Sequence, residues 1–238
     1  MAVKKTKVKI NTEVQEALSK LDVDMVGVAR IDSLKDAKLK KAALKLLPSA
    51  RSMVVVGMEI WPEFLDLTSP ERIAGTSNLN DFYNRHVDYL RGRLTRAVYD
   101  VAHASHKAGL KALPLAAQGP AVDGRFLESI ISYKHAAEAA GLGRIGMSSL
   151  LVTEKFGPRV NLTICLTEAA LQPDAVIDEQ ICRYCNVCVG KCPAHALERP
   201  KNGEIYVINK FACRTYTDAA GGCSECMRVC PIASPRYD

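Results

Sequence analysis

The sequence predicts an α+β fold in two parts, a larger domain over residues 1–172 and a small domain over 173–238. Three observations carry this. Hydrophobic periods of two and of three to four intermix through the first part without the regular strand and helix alternation of a doubly wound sheet. "EAALQPDAVIDEQ", residues 168–180, is an acidic, loop-like connection at which the composition changes. Beyond it gather eight of the nine cysteines, and long hydrophobic segments stop.

Taken in order, residues 12–21 predict a short helix, with Thr12 and Gln15 as a capping-box pair and Val14, Leu18 and Leu21 at helical spacing. "MVGVARI" (25–31) predicts a strand. From Leu34 to Leu47, Lys alternates with Ala and Leu in an amphipathic helix that stops before Pro48, because a residue preceding proline is pushed out of the helical region. "MVVVGMEI" (53–60) is a continuous apolar run and predicts a buried central strand. An irregular stretch with Pro62, Pro70 and Gly75 leads to the longest helix, Asn80 to Ala108. Val87, Leu90, Leu94, Val98 and Val101 mark its buried face and Gly109 its C-cap. "LKALPLAA" (110–117) predicts a strand that Pro114 confines to an edge or a bulge. The loop "QGPAVDGR" enters a helix from Phe126 to Ala140, which "GLGRIG" breaks, and "SLLVTEKFGPRVNLTICLT" reads as two short strands around a turn.

At 238 residues, 48% hydrophobic and 24% charged, the chain can bury a sizeable core. No apolar run approaches the roughly 18 residues that span a bilayer. The opening "MAVKKTKVKINTE" carries no apolar segment of signal-peptide length, so a cytoplasmic protein with no membrane association is expected. In that reducing compartment nine cysteines point to metal or redox chemistry and away from a disulfide scaffold. The net charge of +6 suits nucleic acid, an acidic protein or an anionic cofactor without choosing among them; Lys4, Lys5, Lys7 and Lys9 read as a solvated arm.

The sharpest motif is "ICRYCNVCVGKCP", in which Cys182, Cys185, Cys188 and Cys192 with Pro193 form C-x2-C-x2-C-x3-C-P. This is the bacterial ferredoxin run, in which the first three thiolates wrap one cuboidal cluster and the fourth serves a second. The partner set is present as Cys213, Cys223, Cys226 and Cys230 with Pro231. Crosswise exchange assigns Cys182, Cys185, Cys188 and Cys230 to one [4Fe-4S] cluster and Cys192, Cys213, Cys223 and Cys226 to the other. A zinc site would show two C-x2-C pairs separated by roughly 12 to 20 residues, which two runs ending in C-x3-C-P do not match. Cys165 reads as a buried strand residue. "PAHALE" (193–198) predicts a helix opened by its proline, with His195 on its surface. Two clusters make an electron wire with no open position for a substrate, so chemistry is expected in the larger domain.

There, "KHAAEAAGLGRIGMSSLLVTEKFGPRV" (134–160) is the informative stretch. Gly141, Gly143 and Gly146 allow close approach of backbone to another group, and Arg144 offers charge. A helix, not a strand, precedes them, so the dinucleotide-binding fingerprint lacks its context. With the cysteine pattern behind it, the stretch resembles the epoxyqueuosine reductase and reductive dehalogenase superfamily, whose members carry AGLGxIG followed by LL and GPR. Here these are Ala140 to Gly146, Leu150 and Leu151, and Gly157 to Arg159. The resemblance covers roughly residues 20–238 and is specific from 134 onward.

The resemblance implies a nitroreductase-like α/β sandwich that binds cobalamin without a protein ligand to cobalt, followed by a two-[4Fe-4S] ferredoxin-like domain. The loop of Gly141, Leu142, Gly143, Arg144, Ile145, Gly146, Met147, Ser148 and Ser149 would approach the corrin or its tail. The chain departs from the epoxyqueuosine reductases at Arg144 and Met147, where they carry Trp and Lys. It departs again at Leu127, about thirteen residues before the AGLG motif, where they carry an acidic proton donor. Glu128 beside it is either a substitute or a solvated carboxylate. The chain ends eight residues after Cys230, without the C-terminal repeat domain that helps hold tRNA, so tRNA is not the expected substrate. The Tyr and basic residue of the dehalogenases have no evident counterparts.

The expectation is therefore an iron–sulfur oxidoreductase that passes electrons through two clusters to a corrinoid, with Asp123, Glu128 or His135 supplying protons. Tyr83, His86 and Tyr89, at threes on the long helix, and Tyr133, Lys134 and His135 are further candidates for a pocket, against packing or solvent exposure. Two alternatives stand beside this: an electron-transfer protein that reduces a corrinoid protein or other redox partner, and an FMN-dependent reductase. A ferredoxin or flavodoxin is the expected electron donor, and a homodimer the working expectation.

Overall fold

The computed structural model describes residues 10–73, 79–117, 122–201 and 203–232. The lysine arm, Gly75 and residues 118–121 of the "QGPAVDGR" loop lie outside them. The elements run α1 (Thr12–Leu18), β1 (Met25–Arg30), α2 (Ala37–Leu46), β2 (Ser52–Glu59), α3 (Pro62–Leu67), α4 (Pro70–Ile73), α5 (Leu79–Lys107), β3 (Ala112–Pro114), β4 (Val122–Asp123), β5 (Glu128–Ser129), α6 (Tyr133–Ala139), β6 (Arg144–Ile145), β7 (Leu151–Val152), β8 (Val160–Thr167), α7 (Val187–Gly190), β9 (Leu197–Glu198), β10 (Val207–Ile208), α8 (Lys210–Ala219) and α9 (Glu225–Arg228).

Helices cover both faces of a four-stranded antiparallel sheet ordered β1-β2-β8-β3. Every residue of β2 is buried, and its side chains alternate between two cores as a strand's must. Val54, Val56 and Met58 join Leu90, Leu94, Val98 and Val101 of α5. Met53 and Val55 join Leu39 and Ala43 of α2 and Ala136 and Ala137 of α6. This two-sided burial is why the run is continuously apolar. Pro114 sits on edge strand β3, where its missing N–H costs no ladder bond. Cys165 lies in β8 opposite Val54, fully buried, and burial pushes its thiol up to about 12. Gly109, at φ 73, ends α5 in the left-handed conformation.

Four local expectations are corrected. Asn11, not Thr12, caps α1, its side chain accepting from the Val14 N–H, while Gln15 accepts from the Gln172 N–H and ties the helix to the segment that follows β8. Asp36 caps α2 by accepting from Lys38 and Leu39, which delays the helix start from Leu34 to Ala37. The helix expected from Phe126 begins only at Tyr133, because residues 122–129 form the β4–β5 hairpin. Asp123 accepts from the Arg125 N–H in its turn, and Leu127 adopts φ 48. "PAHALE" likewise forms a turn and then β9 paired with β10: His195, exposed, takes φ 47, and the Ala196 N–H is donated to Cys192 Sγ at 3.3 Å. Among the described residues no helix is long and apolar enough to cross a membrane.

Candidate functional site

The eight cysteines beyond Cys165 fall into two neighbourhoods. Tyr184 and Asn186, alternating with the cysteines, take φ 51 and 63, and these left-handed residues curl the chain tightly around its thiols. Cys188 stands within the field of Cys182, Cys185 and Cys230, and burial first, then these neighbours, raise its pKa to about 11. Cys226 faces chiefly Cys223, Cys213 and Cys192, with Cys188 also in range, and burial holds its thiol far above the ordinary value. Burial likewise raises Cys213 and Cys223, with Cys192 a common neighbour of both. No disulfide joins any of the nine cysteines. Thiols raised in this way ionise readily only with a cation beside them, and an all-sulfur donor set is of the kind that suits iron. Among the described residues, no three His, Cys, Asp or Glu side chains are grouped to chelate a single metal ion.

A small recess beside the first neighbourhood is lined by Cys182, Cys185, Cys188, Cys230, Met147 and Ser148, and Cys226 of the second neighbourhood also borders it. The next residue, Ser149, borders a cleft of about 570 Å³. Residues 127–132, Lys134 and His135 form one wall of that cleft, Asp36, Lys38, Leu39 and Ala42 another, and Tyr206, Ile208 and Lys210 of the cysteine-rich part a third. A second cleft of about 380 Å³ shares Asp36 and His135 with it and is bordered by Arg30, Glu138, Arg144 and Val176.

Lys134 is the centre of the larger cleft's polar wall. Its Nζ donates to Ser149 O and Oγ, each at 2.6 Å, and to Tyr206 Oη at 3.3 Å, and it stands 4.4 Å from the Tyr206 ring centre. Burial pushes its pKa down, against the opposing pull of Tyr206. His135 Nδ1 is 2.7 Å from Ser132 Oγ, and burial followed by the Lys134 charge lowers its pKa, keeping the ring neutral. Of the expected proton donors, the fold brings Glu128 and His135 to this cleft. Glu128 is exposed and 3.5 Å from Lys210. Asp123 instead forks with the Arg125 guanidinium, which lowers its pKa, and it borders neither cleft.

The glycine loop faces mostly protein. A Cβ on Gly141 would stand 2.2 Å from Ala175 O, one on Gly143 2.4 Å from Val152 O, and one on Gly146 2.7 Å from Val152 Cγ2 and 3.4 Å from Cys182 Sγ. Leu142 packs on Gly27, and Ile145 and Met147 are buried. Arg144 opens on the second cleft, where Ile177 O accepts from it at 3.2 Å and Glu138 lies 3.5 Å away. Within the expected loop, then, Ser149 reaches the large cleft, Arg144 the second cleft, and Met147 and Ser148 the thiol recess. Tyr83 and His86 are buried and Tyr89 is exposed, and none of the three borders either cleft. The grouping of Lys134, Ser149 and Tyr206 escaped sequence reasoning, because Tyr206 lies 72 residues from Lys134 with no local signal joining them.

No family model matches the chain. A tetrachloroethene reductive dehalogenase of Sulfurospirillum multivorans is 33% identical over 112 residues, 40% of this chain and 22% of the dehalogenase. An epoxyqueuosine reductase of Synechocystis sp. is 27% identical over 210 residues, 79% of this chain and 64% of the relative. Among solved structures, a reductive dehalogenase described in connection with B12-dependent dehalogenation superposes with TM-score 0.72 at 17% identity, covering 98% of this chain and 34% of its own. An epoxyqueuosine reductase bound to an epoxyqueuosine-modified tRNA-Tyr stem loop superposes at 0.58 and 19% identity, covering 93% and 64%. The chain thus spans about a fifth of the length of the dehalogenases and under two thirds of that of the epoxyqueuosine reductase. In sequence the chain is thus similar to reductases of both names, and in fold to solved structures of both kinds.

Proposed function

We propose that the protein is an iron–sulfur oxidoreductase that carries electrons through two [4Fe-4S] clusters to a corrinoid in the joined clefts, for reduction of a substrate still to be identified. In this reading a nitroreductase-like unit ends near residue 172 and a two-[4Fe-4S] ferredoxin-like unit occupies 173–238. The observation that carries it is the continuity of one loop: Met147 and Ser148 border the thiol recess and Ser149 borders the large cleft. Cys182, Cys185, Cys188 and Cys230 would hold one cluster and Cys192, Cys213, Cys223 and Cys226 the other, a division the two thiol neighbourhoods support.

Leu39, Ala42, Ile130, Ile131 and Ile208 give the cleft an apolar lining suited to a macrocycle, while Ser129, Ser132, Ser149, Lys134 and Lys210 offer donors to amide or phosphate groups. At about 570 Å³ the larger cleft is of the size that takes a drug-sized ligand, and a corrinoid needs the adjoining space as well. When bound, the clusters supply one-electron transfer and the corrinoid a reducing metal. Lys134 orients Ser149 and Tyr206 at the cleft wall, and neutral His135 accepts or donates a proton at its ring nitrogens.

A second reading, an electron-transfer protein acting on a corrinoid protein or other partner, is favoured by Leu127 at the cleft wall where an acid was expected, and by Asp123 being engaged by Arg125. Anaerobic purification, iron and sulfide assay, and the visible spectrum of acid-released cofactor after incubation with cobalamin and with FMN separate the readings. Released corrinoid supports the proposal and flavin supports an FMN-dependent reductase. Absence of both after reconstitution supports electron transfer alone. A ferredoxin or flavodoxin is the donor to supply, and a tRNA stem loop belongs among the substrates tried, since an epoxyqueuosine reductase neighbour binds one.

A further inference from the structure

The contacts of Lys134 decide which protons the large cleft presents to a ligand. Its Nζ carries three N–H donors and no acceptor, and three oxygens stand around it: Ser149 O and Oγ at 2.6 Å each and Tyr206 Oη at 3.3 Å. Because an ammonium only donates, both hydroxyl oxygens accept from it, and each hydroxyl keeps its own proton for another partner. Among the described residues no acceptor takes either proton. Ser149 and Tyr206 both border the cleft of about 570 Å³.

Ser149 is held firmly in this role. It is buried, at 7% exposure, and takes φ 64, a left-handed backbone that residues with a side chain rarely adopt. Its N–H donates to Gly146 O at 2.9 Å, and Lys134 grips its carbonyl and hydroxyl together. The charge around the two hydroxyls is also uneven. Lys38, Lys134 and Lys210 line the cleft against Asp36 and Glu128. Both carboxylates are engaged: Asp36 accepts from the Lys38 and Leu39 N–H groups at the start of α2, and Glu128 lies 3.5 Å from Lys210. A group that only accepts is favoured twice, by two O–H donors and by the positive charge behind them, and hydrogen bonds to an ionised acceptor are the stronger kind. An ammonium or amidinium would set protons against protons.

We infer that the Ser149 and Tyr206 hydroxyls, turned toward the cleft by Lys134, form a subsite for the oxygens of an anionic, acceptor-only group, a carboxylate or a phosphate. The inference rests on the reading of this cleft as the ligand site and holds with or without a corrinoid in it. Lys134 is a positioning residue, Ser149 and Tyr206 bind, and no covalent bond is made or broken.

The test is isothermal titration of the anaerobically purified full-length protein, before any organic cofactor is added, with inorganic phosphate, with benzoate, and with benzamidine, which has the shape of benzoate but only donates. Phosphate and benzoate are expected to bind and benzamidine not to. Tyr206→Phe, which removes one oxygen and leaves the Ser149 loop alone, should raise the dissociation constants of both anions about tenfold, equivalent to about 1.4 kcal/mol. Ser149→Gly should do the same, and because glycine suits φ 64 it removes the hydroxyl without strain. Tyr89→Phe, away from both clefts, should change neither constant. Benzamidine binding as tightly as benzoate, or anion affinities that neither substitution changes, would overturn the subsite. Cobalamin, whose tail carries a phosphate, and cobinamide, which lacks that tail, then assign the occupant. Substitutions that weaken cobalamin and spare cobinamide make it the cofactor's phosphate; substitutions that spare both but weaken benzoate on cobalamin-loaded protein make it a substrate carboxylate. Binding of neither corrinoid, with the anion results intact, would overturn the corrinoid reading and leave the subsite standing.

Discussion

Replacing Gly141 with alanine distinguishes a glycine loop that serves the chain's own packing from one that serves a ligand. Gly141 ends α6 at φ 74, and the Ala175 carbonyl oxygen lies 2.2 Å from where a Cβ would stand. The left-handed backbone costs a residue with a side chain about 1–2 kcal/mol, and forcing atoms against a fixed backbone costs about 1–3 kcal/mol. Together these predict a loss of about 2–5 kcal/mol. A chain of this size loses about 2–4 °C of Tm per kcal/mol, so the melting temperature of cofactor-free protein should fall by roughly 4–20 °C by circular dichroism. Gly92→Ala is the control: it lies inside α5 with nothing within 4 Å of a Cβ, and it should stabilise slightly, by about 0.5–1 kcal/mol. A Gly141→Ala protein that melts with wild type and loses only ligand affinity would refute the packing argument.

Three further outcomes are expected. Cys188→Ala should remove one cluster's share of iron and sulfide while Cys165→Ala, buried on β8 away from both neighbourhoods, leaves the iron content unchanged; equal losses in an iron assay would undo the ligand assignment. Glu59 and Arg159 form a buried pair at 3.0 Å, so Glu59→Gln strands a charge and should cost about 3–5 kcal/mol in urea unfolding; a loss within error would show that solvent reaches the pair. Burial lowers the pKa of both His86 and His135, so below about pH 6.5 the unfolded chain binds protons that the folded chain does not. Stability should fall as pH drops through that range, and the double His86→Gln, His135→Gln variant should show a shallower slope; a wild-type urea midpoint that rises on acidification contradicts this sign.

Strong periodicity made much of the fold legible. The β2 run, the α5 stripe of Leu90, Leu94 and Val98, the edge proline Pro114 and the left-handed Gly109 follow from rules that act over a few residues. The segment from Phe126 to Ser132 was misread because its apolar spacing also suits a helix, whereas the β4–β5 pairing and the turn at Asp123 override that preference. "PAHALE" failed similarly, when the Cys192 sulfur took the Ala196 N–H that an extended helix would have used. The cysteines were legible as a pattern because the motif spacing is itself the signal. The cleft was not, since Lys134, Ser149 and Tyr206 meet only after the two parts fold together.

The grip of α5 on the cysteine-rich part reaches beyond stability. Asn80 and Asn84 hold the backbone at Ala220 and Gly221, and Met227 inserts into the same core as Leu90 and Val98. Residues 173–238 expressed by themselves would lose these anchors and leave an oily scar on α5, so the tail is no free-standing carrier that docks and leaves. Those anchors are made by the chain's longest helix, so the cysteine-rich part and the cleft take their places in the same act of folding.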